Sequence, residues 1–117
     1  MPNPGVTIYH NPRCSKSRNA LALLQQNGIE PKVIEYLKHP PDKAELKRIV
    51  QKLGVAPEQI VRKGEETFKQ HYAGKTLSDD QWLDALAAHP ILIERPIVVR
   101  NERAVVGRPP ENVLDLI

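Results

Sequence analysis

Apolar and polar positions alternate or recur at helical spacing along most of this chain, and the pattern divides it into elements. Val6-Thr7-Ile8-Tyr9 alternates and is rich in β-branched residues, so it predicts a first strand. Asn11-Pro12 breaks it. A helix starts between Ser15 and Ser17, with serine as its cap, and runs to about Gln26 with Ala20, Leu21, Leu23 and Leu24 on its apolar side. Asn27-Gly28 stops it. Pro31 to Tyr36 predicts a second strand, parallel to the first because a helix intervenes. Asp42 caps the next helix, whose stripe is Leu46, Ile49, Val50 and Leu53, and Gly54 ends it. Short helices follow at Pro57 to Arg62 and Glu65 to Tyr72. Ser78 opens a clearer one, with Trp82, Leu83, Leu86 and Ala87 inward, and His89-Pro90 closes it. Ile97-Val98-Val99-Arg100 and Ala104-Val105-Val106, joined at Asn101-Glu102, read as an antiparallel hairpin. Glu111 to Leu116 forms a last helix behind two prolines.

The order β-α-β, helices, β-β-α is an α/β plan of the thioredoxin type: a four-stranded mixed sheet flanked by helices, with a helical insertion at about 42–88 between the βαβ and ββα halves. At 117 residues the chain is expected to form one domain with a modest core. Aromatic residues are 4% of the total, so that core rests on Leu, Ile, Val and Ala. No apolar run approaches the roughly 20 residues that span a bilayer. The Met-Pro-Asn-Pro-Gly start has no basic segment followed by an apolar one, so neither a membrane anchor nor a signal peptide is expected. The net charge of +3 is small and spread along the chain, which argues against nucleic acid as a partner.

The cysteine count changes the picture most. Cys14 is the only one. It excludes an internal disulfide and thiolate zinc sites, and a reducing cytoplasm is the expected location. It sits where the first strand hands over to the first helix, with Arg13, Lys16 and Arg18 within four residues and no acid before Glu30. Most free cysteines are small buried hydrophobes, but Asn11, Pro12, Arg13, Ser15, Lys16 and Ser17 do not make a core sequence. Cations and a helix N-terminus both lower a thiol pKa, so Cys14 is read as a nucleophile. Ser17 stands where a dithiol enzyme has its second cysteine, so an adduct on Cys14 must be resolved by an outside thiol such as glutathione or a glutaredoxin-type protein. A tyrosine-phosphatase-type loop would carry an arginine six residues after the cysteine, where this chain has Ala20.

Four arginines stand out: Arg62, Arg95 and Arg108 as candidates for holding an anion, and Arg18 in a supporting place. Arg95 directly precedes Pro96, and Arg108 lies between Gly107 and Pro109, so proline restrains the backbone that carries each guanidinium fork. If the hairpin pairs beside the first strand, the Pro96 corner brings Arg95 to Cys14. Pro96 occupies the position where thiol-disulfide proteins of this plan keep a cis-proline. Arg62, in the helical part, is placed to reach over as a lid. A thiolate among arginines suits attack on arsenate or phosphate. His10 is a supporting residue that tunes the thiolate or orients the loop, or is simply a hydrogen-bonded structural histidine. The carboxylates form no pair at metal or acid-base spacing.

Three stretches together resemble the glutaredoxin-linked arsenate reductase family: Tyr9-His10-Asn11-Pro12-Arg13-Cys14-Ser15-Lys16-Ser17-Arg18, Glu94-Arg95-Pro96-Ile97-Val98-Val99 and Gly107-Arg108-Pro109-Pro110-Glu111-Asn112-Val113-Leu114. The resemblance implies that Cys14 attacks arsenate and that Arg62, Arg95 and Arg108 stabilise the adduct. It further implies that glutathione and then glutaredoxin supply the electrons that release arsenite, with no bound cofactor or metal. Ser15-Lys16 replaces the Gly-Thr of the arsenic-detoxifying members and resembles a second branch. Two other readings stand beside this one: a thioredoxin-fold regulator that binds RNA polymerase, and a thiol-transfer protein acting on glutathionylated substrates.

Overall fold

The computed structural model describes residues 5–117. The first four residues of the arm that precedes the first strand lie outside the described part. The chain forms two compact units, one of residues 1–39 and 95–117 and one of residues 40–94.

The first unit is built on a sheet of order β2-β1-β3-β4. Its strands are β1 (Val6–His10), β2 (Lys32–Glu35), β3 (Ile97–Arg100) and β4 (Arg103–Val106). β1 and β2 are parallel, with Ile8 opposite Val33. β1 and β3 are antiparallel, with Ile8 opposite Val98, and β3 turns back onto β4 with Val98 opposite Val105. With helix α1 (Ser15–Gln26) crossing between β1 and β2, this is the expected thioredoxin-like fold. β2 is shorter than the pattern suggested, ending at Glu35; Tyr36 beyond it is fully buried. The last helix is of the 3-10 type, Pro110–Leu116.

The core of this unit gathers Val6, Ile8, Ala20, Leu24, Val98, Val113 and Leu116, all buried. α1 therefore packs one narrow stripe, Ala20 and Leu24, while Leu21 and Leu23 are only partly covered. It stops where Gly28 takes a φ of 79°, a left-handed conformation that glycine adopts without the clash a Cβ would cause. The final 3-10 helix is tied back to the hairpin by Arg100, whose Nη1 donates to the Leu116 carbonyl at 2.8 Å, and by Arg103 to the Asp115 carbonyl at 2.9 Å.

The second unit holds helices α2 (Lys43–Leu53), α3 (Glu66–His71) and α4 (Asp79–Ala88). Its ends follow local chemistry. Asp42 Oδ1 accepts from the Glu45 amide at 2.8 Å, and Gly54 closes α2 with φ 71°. Ser78 and Gln81 cap α4 reciprocally, at 3.2 and 2.9 Å. α2 buries Leu46, Ile49 and Val50 against α4, which contributes Trp82, Leu83, Ala85 and Leu86. Phe68 of α3 stacks on Trp82 with ring centroids 6.1 Å apart. The segment Pro57 to Ile60 is a 3-10 turn, and the Arg62 amide donates to the Leu92 carbonyl at 2.7 Å. No described helix is long and apolar enough to cross a membrane.

Candidate active site

Cys14 is the residue that caps α1. Its backbone is extended (φ −97°, ψ 122°), its carbonyl accepts the Arg18 amide at 3.0 Å, and its own amide donates to the Asn11 carbonyl at 3.0 Å. The serines expected to cap the helix instead lie inside it. The thiol is half-buried, which leaves it beside the first free amides of the helix. Burial pushes the thiol pKa up, but the Ser17 N–H, the Arg95 guanidinium and the Lys16 N–H outweigh burial and hold it below the ordinary thiol range.

The loop that presents this sulfur is organised from inside by Ser17. That side chain is fully buried. Its Oγ accepts the Asn11 amide at 3.0 Å and lies 2.6 Å from His10 Nδ1. One lone pair serves the amide and the hydroxyl proton is free for Nδ1, an arrangement that suits a neutral His10 with its ring proton on Nε2. Burial lowers the His10 pKa, Glu35 works against that, and Arg18 adds to it, with a net downward shift. Asn11 completes the turn by accepting the Arg13 amide on Oδ1 at 3.0 Å. Arg18 turns back onto the loop, with Nη1 donating to the Pro12 carbonyl at 2.9 Å. Arg18 is therefore a brace of the loop's outer side.

The antiparallel pairing of β3 with β1 delivers the distant arginines. The Arg95-Pro96 bond is cis, Pro96 is buried, and its carbonyl accepts the Gly107 amide at 2.8 Å. This link ties the entry to β3 to the exit of β4. Gly107 fits because it has no side chain: a Cβ there would lie 2.9 Å from Pro96 Cγ and 3.3 Å from Ala20 Cβ. The next residue, Arg108, precedes a second cis bond, to Pro109. Its Nη1 lies 3.9 Å from Cys14 Sγ and 3.2 Å from the Arg95 carbonyl. Burial lowers the Arg95 pKa, but hydrogen bonding to the Cys14 thiol and interaction with the Tyr36 hydroxyl raise it further, so it is a firm cation. A half-exposed sulfur thus has two guanidinium groups beside it, the charge pattern a thiolate attacking an oxyanion requires.

Cys14, Arg95, Arg108, Pro96, Ser17 and His10 all fall in the first unit. Arg62 falls in the second, where Glu65 at 3.3 Å and Glu94 at 3.0 Å hold its guanidinium. Three contributors are not among the site residues the sequence suggested: Tyr36, Asn11 and Gly107. A tyrosine just past the end of β2, in a chain with three tyrosines, was the available signal for Tyr36; Asn before Pro was the signal for Asn11.

The chain is similar over nearly its whole length to known proteins. An arsenate reductase of Neisseria meningitidis serogroup A is 48% identical over 112 residues, covering 94% of this chain and 96% of that protein. The Escherichia coli K12 protein called uncharacterized protein YfgD is 46% identical over 114 residues, 96% of each chain. The solved structure of the arsenate reductase from Vibrio cholerae is similar with a TM-score of 0.94 and 51% identity, over 99% of this chain and 100% of that one. A model of the ArsC family matches residues 9–116. That span takes in the cysteine loop, the Arg95-Pro96 corner and the Arg108 segment together, and the chain belongs to the ArsC family.

Proposed function

We propose that this protein reduces arsenate to arsenite, with Cys14 as nucleophile and with glutathione and a glutaredoxin-type protein in a reducing cytoplasm as the source of electrons. The observation that supports it most is the Arg108 Nη1 at 3.9 Å from a lone, acidified thiol that also interacts with Arg95. Arsenate is a tetrahedral oxyanion, and its reduction begins when a thiolate displaces one arsenic-bound oxygen. The Cys14 thiolate attacks arsenic and an oxygen leaves as water, giving a sulfur–arsenic(V) ester. Arg95 and Arg108 neutralise charge on the remaining oxygens. Glutathione condenses at the same arsenic with loss of a second water. A further thiol then attacks the glutathione sulfur and leaves as a mixed disulfide. The electron pair of the sulfur–arsenic bond stays on arsenic, which becomes arsenic(III). Water then cleaves the Cys14–arsenic bond, restoring the thiol and releasing arsenite. Ser17 supports the need for outside thiols, since it stands where an internal second thiol would otherwise be. Arg62 is included in the arginine set by family resemblance, and Arg62→Ala tests it.

The assay is arsenate-dependent turnover with glutathione and glutaredoxin. Omitting either thiol source stops the reaction, Cys14→Ser abolishes it, and Arg95→Ala lowers kcat/KM by about 100-fold, the scale of losing one charge-stabilising donor. Turnover that survives Cys14→Ser, or that proceeds without glutathione, refutes the reading.

A further inference from the structure

Arg108 reaches Cys14 from an exposed position, so its aim depends on how firmly its backbone is held. Its Nη1 lies 3.9 Å from Cys14 Sγ and 3.2 Å from the Arg95 carbonyl. Those contacts belong to the far end of the side chain. The near end sits in the three-residue exit from β4, Val106-Gly107-Arg108. The two residues that follow, Pro109 and Pro110, have no N–H with which to tie that exit down.

Asn112 supplies what the prolines lack. Its Nδ2 donates to the Val106 carbonyl at 3.2 Å and to the Arg108 carbonyl at 3.3 Å. Carbonyl oxygens only accept, so the amide nitrogen, with its two hydrogens, is the atom that faces them. Between those two carbonyls the Gly107 amide donates to the Pro96 carbonyl at 2.8 Å. All three residues of the exit are therefore held, two of them by one side chain. Asn112 is itself fixed: its backbone amide donates to the Pro109 carbonyl at 3.0 Å, and the next residue, Val113, is fully buried in the core. Cys14, Arg108 and Asn112 all lie in the first unit.

The geometry points to Asn112 as a positioning residue that aims Arg108 at the Cys14 sulfur, and through Arg108 at the oxyanion. The inference deepens the proposed reduction and takes from it the role of Arg108 at that oxyanion. Asn112 is only half-buried and neither of its side-chain bonds is short, so losing them should loosen the exit from β4 without unfolding the protein.

The test compares alkylation of Cys14 by iodoacetate, an anion, with alkylation by iodoacetamide, its neutral analogue, at low ionic strength. Both reagents draw on the same thiolate, so the ratio of their rates is independent of its pKa and reads the positive charge beside the sulfur. Arg108→Ala should lower the ratio about fivefold, the scale of one unit charge about 4 Å away in water. Asn112→Ala should lower it about twofold to threefold, but by no more than about 1.3-fold when Arg108 is already alanine. An unchanged ratio in Arg108→Ala or in Asn112→Ala overturns the inference. So does an equal fall in both backgrounds, which is what a merely structural role would give. Should Asn112→Ala not fold, Asn112→Leu, which keeps the bulk and donates nothing, is read in the same way. Asn112→Ala should also lower kcat/KM for arsenate about tenfold, part of the loss expected when a charge-stabilising donor is misplaced. A ratio that falls as described in a protein that fails to reduce arsenate supports the aiming of Arg108 and refutes the reaction.

Discussion

Replacing Ser17 by alanine removes one oxygen from a place with no solvent. Its hydroxyl serves two buried partners, the Asn11 amide at 3.0 Å and His10 Nδ1 at 2.6 Å. Stranding a buried polar group costs about 1–3 kcal/mol, so the two together cost roughly 2–4 kcal/mol once partial relaxation of the loop is allowed. That is a large share of the stability of a small protein, which totals about 5–15 kcal/mol. For 117 residues the unfolding entropy near the midpoint is roughly 0.25 kcal/mol/K, so Tm should fall by about 8–16 °C. The same loop fixes the position of the Ser17 N–H, the largest of the influences that acidify Cys14. Ser17→Ala should therefore also raise the Cys14 pKa, although the substituted side chain is not the group that touches the sulfur. Calorimetry and the pH dependence of alkylation measure the two effects on one sample. A Tm within about 3 °C of wild type, a loss of under ~1 kcal/mol, with an unchanged alkylation profile refutes the assignment of Ser17 as the hub of this loop.

Two further outcomes are expected. Alkylation of Cys14 by iodoacetamide should show a midpoint below the ~8.5 of an unperturbed thiol, and Arg95→Ala should move it upward because that guanidinium stabilises the thiolate; an unchanged midpoint in Arg95→Ala counts against the contact. Gly107→Ala should lower the denaturant midpoint by an amount equivalent to about 1–3 kcal/mol without changing m, since the added carbon would meet a buried proline ring at 2.9 Å. A neutral result would mean that the corner carrying Arg95 and Arg108 yields more easily than its packing indicates.

Much of the fold is legible because its signals are local. Asp42 and Gly54 bound α2, and Ser78 with Gln81 opens α4, through bonds reaching no more than four residues. Cys14 was legible for the same reason, since its strand-to-helix position and basic neighbours are adjacent in the chain. The partnership of Ser17 with His10 was not, because it links a strand end to a helix interior and serine in a helix is ordinarily a solvated residue. Arg18 takes only a supporting place on sequence grounds, and the acceptor it reaches, the Pro12 carbonyl, is a backbone group that no residue pattern announces. The shift of α4's buried alanine from the expected Ala87 to Ala85 follows from which side α2 covers, information that no periodicity contains. The cis bonds before Pro96 and Pro109 have no residue signature, since nearly isoenergetic isomers are selected by tertiary contacts.

Synthesis runs from the N-terminus, and that order bears on when the site acquires its chemistry. Arg108 follows its sulfur partner by 94 positions, which at 5–20 residues per second is roughly 5–20 s of translation. β1 likewise waits for β3, since Val6 pairs with Arg100. Until Arg95 and then Arg108 are made, the thiol is on the chain without its guanidinium partners, and a polypeptide interrupted after β2 has only the Ser17 and Lys16 N–H groups to acidify its cysteine. The guanidinium share of the site's reactivity arrives only with Arg95 and Arg108, so a product interrupted before them is the less reactive.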